Sequence, residues 1–247
     1  MTNRRSSKIV TTSWDDGNIA DLRVAEILKS KGLKGTFYIP LQYRERSLAD
    51  HQLRDLALEG FDIGAHSYSH QQLRGLSLEQ LLREITPCKP SLEDATGTEV
   101  RMFCYPCGRY DSAAVRCLRQ AGYFGARTTR MLATQLSFDC FAIPTTVQAF
   151  QHPSLTYFKN MAKAGRLEGL QTFLSELGRL SNWVELSKHL FDDVLQNGGV
   201  WHLYGHSWEL ERHGLWRALH DVLDYVSKRA GVQYLSNSDL IAMPDRA

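Results

Sequence analysis

The 247-residue chain lacks several features that would each indicate a particular class of protein. No stretch approaches the ~20 apolar residues of a membrane helix, so we expect no membrane span. The first residues, MTNRRSSKIVTTSWDDG, are not followed by an apolar run of signal-peptide length, which favours a cytoplasmic location. Five cysteines, an odd number, show no disulfide framework. The formal net charge of +2 gives no sign of a nucleic-acid partner, and nothing in the composition indicates an oligomeric state.

The first half of the chain alternates short β-branched or aromatic runs with segments of helical periodicity. The predicted strands are residues 8–13, 35–39, 61–65, 102–105 and 125–128, and the predicted helices are 21–31, 47–59, 77–95 and 112–121. This alternation predicts right-handed βαβ units and a parallel sheet, either open or closed into a barrel. In such folds the catalytic groups lie just beyond the carboxyl ends of the strands.

The second half is less regular, and we predict a loop over 129–153 with one short strand at 141–143. Further predicted helices are 154–164, 167–180, 183–196 and 215–228, with strands at 199–204 and 232–235 and a short helix beginning near Asn237. We find no repeat, low-complexity tract or clear linker, so we expect a single domain over 1–247.

Two short motifs at predicted strand ends carry the chemistry. His66 and His70 lie four residues apart, which on a helical turn would direct both imidazoles to one metal ion. Asp15 and Asp16 follow the first strand, where one carboxylate could ligate a cation while the other accepts a proton. Each motif alone has a plainer interpretation, as a surface histidine pair or as an ordinary Asp-Asp-Gly turn. Together, two histidines and a carboxylate leave coordination positions open for water or substrate.

These motifs resemble those of a known family. TSWDDG at 12–17 resembles the TFDDG motif of the NodB-type polysaccharide deacetylases, carbohydrate esterase family 4. HSYSH at 66–70 matches the H-[ST]-x-x-H of that family, and FCYPCGRYD at 103–111 resembles the divergent FxYPxGxYD form of its third motif. The resemblance is strong over residues 8–128 and weaker beyond them, with motif-bearing segments to about residue 210.

The resemblance implies an α/β fold of the NodB-homology type, a distorted (β/α)7–8 barrel. It also implies Asp16, His66 and His70 as ligands of a divalent metal, with Asp15 as the general base. Zinc is the first expectation, and Co²⁺, Ni²⁺, Mn²⁺ and Fe²⁺ also suit mixed histidine and carboxylate ligands. The reaction expected is hydrolysis of an N-acetyl amide on a small-molecule or glycan substrate by metal-activated water.

A general acid must protonate the departing amine. For this the family uses a histidine on a late strand, and the segment VWHLYGHSWEL at 200–210 offers His202 and His206. We favour His206, which lies nearer the carboxyl end of the strand, and expect His202 to be a buried, hydrogen-bonded histidine. The oxyanion is expected at the backbone N–H of Cys107. The other expected substrate contacts are Tyr105, Pro106 and Trp208.

The third motif departs from the family pattern. An arginine that pairs with the base is replaced by Cys104, Cys107 stands in place of a tyrosine, and the fourth motif, DxxDW, is missing from the sequence. Arg127 or Arg109 could supply the lost cation beside Asp15. The Cys-x-x-Cys pair could also indicate a redox or zinc site, but no second pair of ligands accompanies it.

Three alternatives stay open at this point. The non-haem iron oxygenases also use two histidines and a carboxylate, but usually on an all-β scaffold. A non-catalytic barrel could bind carbohydrate without hydrolysing it. A metal-dependent amidohydrolase could act on a C–N bond outside sugars.

Overall fold

The structure is a computed structural model that describes residues 7–43, 48–153, 156 and 182–243. Its centre is a parallel sheet of eight strands. The strands are β1 Lys8–Asp15, β2 Thr36–Ile39, β3 Asp62–Ala65, β4 Met102–Cys104, β5 Gly125–Arg127, β6 Val147–Gln148, β7 Gly199–Gly205 and β8 Gln233–Tyr234. The strand order is β5-β4-β3-β2-β1-β7-β6, with β8 pairing onto β1. The predicted α/β fold is thereby confirmed, with the sheet curled into a half-barrel.

Helices follow most of the strands along the chain. They are α1 Asp21–Lys31, α2 Asp50–Leu58, α3 Leu78–Ile85, α4 Cys88–Thr96, α5 Ser112–Gln120, α6 Trp183–Asn197, α7 Ser207–His213, α8 Trp216–Val226 and α9 Asn237–Ala242. No helix in the described part of the chain is both long and apolar enough to cross a membrane.

Strand β1 is a central strand of the sheet and pairs with three others, β2, β7 and β8. Its residues from Ile9 to Asp15 are all buried, as expected of a parallel strand packed on both faces. The side chains of Ser13 and Asp15 lie on one face of the strand, since alternate residues point the same way. That face carries the polar groups of the site.

The single helix predicted over 77–95 is wrong, because the structure contains two helices there. Ser77 caps α3 as its sequence indicates, accepting a hydrogen bond from the backbone N–H of Gln80. The chain then breaks at Pro87, which has no N–H to donate to the preceding turn, and Pro90 lacks a second donor. Two short helices therefore replace one long helix.

The second half differs from its prediction in three places. Residues 141–143 do not form a strand, since Cys140–Ala142 is a 3-10 turn joined to β5 by a single bridge between Arg127 and Ile143. Neither β6 nor α7 was predicted, because each is shorter than the window in which periodicity can be recognised. The helix predicted at 183–196 is confirmed, whereas those at 154–164 and 167–180 lie, apart from residue 156, outside the described residues.

Helix α9 closes the end of the sheet opposite the candidate site. The hydroxyl and backbone N–H of Ser238 donate hydrogen bonds to Asp62 at the start of β3, and the hydroxyl of Thr36 donates to the same carboxylate. The side-chain amide of Asn237 donates to Thr11 and its carbonyl oxygen accepts from Tyr38. The strand beginnings are thus tied together by buried polar contacts.

Candidate active site

The polar residues predicted for the site do gather at the carboxyl edge of the sheet. Asp15 is the last residue of β1, His66 directly follows β3, and Arg127 is the last residue of β5. Cys107 lies three residues beyond the last position of β4, and His206 directly follows β7. Because parallel strands place their carboxyl ends at one edge, five separate segments contribute to one centre.

Asp16, His66 and His70 form a compact group of metal-ligand type. Nε2 of His70 lies 3.3 Å from Oδ1 of Asp16, and Nε2 of His66 lies 3.8 Å from the same oxygen. The three ligand atoms are all within 4.8 Å of one another. Oδ1 of Asp16 is buried and accepts no hydrogen bond from any described residue. A buried carboxylate oxygen with no donor, facing two imidazole nitrogens, fits a divalent cation.

The tautomer of His66 suits this role. Its Nδ1 lies 2.8 Å from the carbonyl oxygen of Cys104 and donates a hydrogen bond to it, so Nε2 carries the lone pair. Burial lowers the pKa of His66 to about 4, against the opposing effect of the nearby carboxylates, so the ring is neutral at physiological pH. A neutral imidazole is the form that binds a metal.

The geometry of the histidine pair differs from its prediction. Residues 66–70 do not form a helical turn, because Ser67 and His70 both have left-handed backbone angles, with φ of 65° and 62°. The loop is held instead by Glu84 of α3, whose carboxylate accepts from the backbone N–H and the hydroxyl of Ser69. The ring of His70 also stacks on Tyr43, with centroids 4.2 Å apart. Nothing in the sequence pattern indicated Glu84.

Asp15 is enclosed by charged and polar groups. The guanidinium of Arg127 donates a hydrogen bond to its Oδ1, and the thiol of Cys104 lies 3.8 Å from its Oδ2. Burial alone would raise the pKa of Asp15, but Arg127, aided by His66 and His206, lowers it to about 2. The carboxylate is therefore ionised, although only 3% of the residue is exposed.

Of the two arginines considered as partners of Asp15, the structure brings only Arg127 to it. Arg127 is fully buried, and its guanidinium carbon lies 4.8 Å from the ring centre of Tyr204. Arg109, in the turn after β4, is exposed and makes no ion pair with Asp15 within the described ranges. Cys104 and Arg127 are Cα partners in the register of β4 and β5. The positive charge beside Asp15 thus comes from an arginine on β5, whereas in the family pattern the arginine stands at the position of Cys104 on β4.

His206 faces Asp15 from the other side, with Nε2 at 3.9 Å from Oδ2 of Asp15. Its Nδ1 lies 2.6 Å from Oε2 of Glu209. Burial disfavours the charged ring, but the hydrogen bond to Glu209 and the charge of Asp15 outweigh it and raise the pKa of His206. The side-chain amide of Gln148 donates to Glu209, and the hydroxyl of Tyr204 donates to Oε1 of Gln148. Gln148 was missed by sequence reasoning, since β6 itself was not predicted.

His202 occupies the buried position expected for it. Its Nε2 lies 2.9 Å from the hydroxyl oxygen of Ser13, and its Nδ1 lies 3.1 Å from the carbonyl oxygen of Pro144. Burial, with a smaller effect from the charge of Arg127, lowers the pKa of His202 to about 3. Both ring nitrogens are therefore engaged in holding β1, β7 and the segment before β6 together.

The expected substrate contacts separate into two groups. Tyr105 and Pro106 are buried, and the hydroxyl of Tyr105 donates to the carbonyl of Phe141, so they support the loop rather than line its surface. Cys107 is exposed with φ of 54°. Trp208 is partly buried, and its indole N–H donates to Oδ2 of Asp16 at 2.8 Å. This contact fixes the carboxylate whose other oxygen faces the two histidines.

The comparisons with known proteins agree with this architecture. The family model described as polysaccharide deacetylase matches residues 2–126. YxkH of Bacillus subtilis, assigned to the polysaccharide deacetylases, is 27% identical over 141 residues, which are 56% of this chain and 50% of YxkH. The chain spans half or less of the length of the curated relatives it matches.

Solved structures are similar over most of the chain. The chitin deacetylase of Colletotrichum lindemuthianum is 16% identical, with a TM-score of 0.62 over 97% of this chain and 90% of that one. A family 4 acetyl xylan esterase from Clostridium thermocellum, solved with cobalt, is 17% identical, with a TM-score of 0.60 over 94% of this chain and 90% of that one. A family 4 pseudoenzyme of Bacillus anthracis is 16% identical, with a TM-score of 0.56 over 95% of this chain and 66% of that one.

At these identities the structural similarity establishes the fold alone, whereas the family match covers half of the chain. It includes the segments that bear Asp15, Asp16, His66 and His70. The chain belongs to the polysaccharide deacetylase family.

Proposed function

We propose that the protein is a metal-dependent deacetylase that hydrolyses an N-acetyl amide on a sugar or glycan intermediate. The observation that carries the proposal is the buried Oδ1 of Asp16, which lacks a hydrogen-bond donor among the described residues and faces two imidazole nitrogens. Beside it lie an ionised carboxylate, Asp15, and a histidine of raised pKa, His206. A cation site, a base and an acid this close together are the groups that metal-assisted hydrolysis requires.

Asp16, His66 and His70 would hold the metal. A divalent cation bound there, Zn²⁺ first and Co²⁺, Ni²⁺, Mn²⁺ or Fe²⁺ as alternatives, would lower the pKa of a water molecule and polarise the acyl oxygen. The indole of Trp208 and the carbonyl of Cys104 orient two of these ligands, as outer contacts do in metal sites generally.

Asp15 is proposed as the general base. Arg127 occupies its Oδ1, so Oδ2, which among the described residues has only the Cys104 thiol at 3.8 Å and Nε2 of His206 at 3.9 Å, is proposed to accept the proton of the attacking water. The same arginine keeps the carboxylate ionised despite its burial, which a base at this position requires. The backbone N–H of Cys107 is proposed to donate to the oxyanion as the tetrahedral centre forms.

His206 is proposed as the general acid. Its Nε2 faces the centre, and Glu209 holds its Nδ1, so the protonated ring can release a proton from Nε2 to the departing amine. The raised pKa of His206 keeps the ring protonated closer to neutral pH than an unassisted imidazole.

The proposal is tested by measuring bound metal and acetate release over a panel of N-acetylated sugars. Removal of metal with a chelator should abolish acetate release, and added Zn²⁺ should restore it. Asp16→Asn should lower both the bound metal and the activity, whereas Asp94→Asn, an exposed carboxylate on α4, should change neither. Acetate release that persists in fully metal-free protein would contradict the proposal.

A second candidate is a barrel that binds carbohydrate without hydrolysing it. One observation favours it: a family 4 pseudoenzyme is among the similar structures, so this fold can persist without the activity. Sugar binding by metal-loaded protein with no acetate from any substrate would support this candidate. The parallel α/β sheet argues against the oxygenase alternative, which usually has an all-β scaffold. Non-sugar amides added to the same panel test the remaining alternative.

A further inference from the structure

A cavity of about 410 Å³ lies at the carboxyl edge of the sheet, beside the candidate active site. Its walls include the turn after β4, with Cys107 and Arg109, and the segment after β5, with Arg130. The volume falls within the ~300–1,000 Å³ usual for small-molecule sites. The cavity is large enough for a sugar and its substituents.

Two residues connect the cavity to the catalytic groups. Cys107, whose backbone N–H is proposed for the oxyanion, lines it. Tyr204 also lines it, and the ring of Tyr204 packs on Arg127, the partner of Asp15. The cavity therefore adjoins both the proposed oxyanion position and the side chain that packs on the partner of Asp15.

The charged side chains that line the cavity are all positive. Arg109 and Arg130 are both exposed, and neither has an ion pair within the parts of the chain that the structure describes. No aspartate or glutamate is among its described lining residues. Burial lowers the pKa of His152, which leaves this third basic residue uncharged at neutral pH. Three acids outside the lining act on its residues: Asp139 on Tyr110, Glu209 on His152 and Tyr204, and Asp15 on Tyr204. Each has a partner of its own, which is the backbone N–H of Phe141 for Asp139, His206 for Glu209 and Arg127 for Asp15.

We propose that this cavity binds an anionic group on the substrate, a carboxylate or a phosphate ester, through Arg109 and Arg130. The proposal deepens the proposed function and rests on it, since it specifies the substrate as an acidic N-acetylated sugar. A guanidinium offers paired N–H donors that match carboxylate and phosphate oxygens. Two guanidiniums without carboxylate partners on the wall of one cavity are suited to one anion and to the sugar that carries it.

The test compares three substrates in the metal-loaded protein: N-acetylglucosamine, N-acetylmuramic acid and N-acetylglucosamine 6-phosphate. The second carries a carboxylate and the third a phosphate, so the panel distinguishes the two sources of negative charge. We expect kcat/KM for at least one acidic sugar to exceed that for the neutral sugar by about tenfold or more, and the preference to shrink at high salt.

Arg109→Ala and Arg130→Ala should each lower the ratio of acidic to neutral kcat/KM by about fivefold or more. The ratio is informative because a general loss of activity leaves it unchanged. Arg54→Ala, which removes an exposed arginine from α2, serves as the matched control and should keep the wild-type ratio. Equal kcat/KM for all three sugars, or a wild-type ratio in both cavity variants, would overturn the proposal.

Binding measurements separate this inference from the proposed function. The three sugars are titrated calorimetrically into wild-type protein with and without metal. Tighter binding of an acidic sugar without any acetate release would support the anion site and refute the deacetylase. Acetate release at equal rates from all three sugars would support the deacetylase and refute the anion site.

Discussion

Replacing Arg127 with methionine should inactivate the protein and destabilise its fold, because one buried cation stabilises the ionised form of Asp15. Arg127 is fully buried and Asp15 is 3% exposed, so neither charge is screened by water. Removing one partner of such a pair leaves an uncompensated buried charge, at a cost of about 3–5 kcal/mol. Methionine fills a similar volume, so little of this cost would come from an empty space left by the arginine side chain.

The pH dependence follows from the same contact. With Arg127 present the pKa of Asp15 is about 2, below the ordinary 3.8. The contribution of the ionised Asp15 to the free energy of unfolding is therefore complete above pH 3.8 and is lost as the pH falls through 2. Without Arg127, burial raises this pKa, and the carboxylate of Asp15 takes up a proton at higher pH. The acid limb of kcat/KM should therefore move upward, and kcat/KM at neutral pH should fall by about 10²-fold or more.

The assays are acetate release across pH, urea unfolding and metal content. Arg127→Lys retains a charge and should lose less activity and stability than the methionine variant. Asp15→Asn combined with Arg127→Met should be more stable than Arg127→Met alone, because the unpaired carboxylate is gone. Metal content should stay near that of the wild type in all three variants, since Arg127 does not contact the ligand group.

The register of β4 and β5 allows a sharper version of this experiment. Cys104 and Arg127 are Cα partners, so exchanging them in Cys104→Arg combined with Arg127→Cys returns a guanidinium to the neighbouring strand. The exchanged variant should recover part of the activity that Arg127→Cys alone loses. Wild-type kcat/KM and stability in Arg127→Met would refute the role assigned to the arginine.

Three further predictions concern other contacts. Glu209→Gln should lower the pKa of His206, so that activity is lost at lower pH on the basic limb of the rate profile, measured by acetate release. An unmoved basic limb would contradict this assignment. Trp208→Phe removes the N–H donor to Asp16 and should weaken metal affinity by about 10–100-fold, measured by competition with a chelator. Burial raises the pKa of Asp62 to about 6, so its contribution to stability is complete below pH 3.8 and is lost as the pH rises through 6. Asp62→Asn should remove about 3 kcal/mol of that pH dependence in urea unfolding, and an unchanged dependence would refute it.

The position of the site could be predicted from the sequence because it depends only on where the parallel strands end along the chain. Strand and helix alternate clearly in the first half, and parallel strands expose their carboxyl ends together. Asp15, Asp16 and His66 therefore had to lie near one another once three strands were recognised. The family resemblance then supplied the proposed roles, Asp15 as base and Asp16 as ligand, a distinction that spacing alone does not provide.

The contacts that refine the site could not be predicted, for two physical reasons. The loop of His66 and His70 depends on left-handed backbone angles, which no residue pattern at these positions indicates. The contact of Trp208 with Asp16 joins distant parts of the chain, and the choice of Arg127 over Arg109 depends on which strand faces Asp15. Each depends on packing that only the folded chain specifies.

The pairing of β1 with β7 also has a consequence for the order in which the centre can assemble during synthesis. The three proposed ligands lie within residues 16–70 and leave the ribosome early, whereas His206 follows the seven registered pairs that join β1 to β7. Closing so long a loop is slower than local pairing, and folding follows synthesis from the amino terminus. A nascent chain therefore carries the three proposed ligands before it has the proposed general acid, and the proposed hydrolysis would wait until His206, in the last third of the protein, has been made.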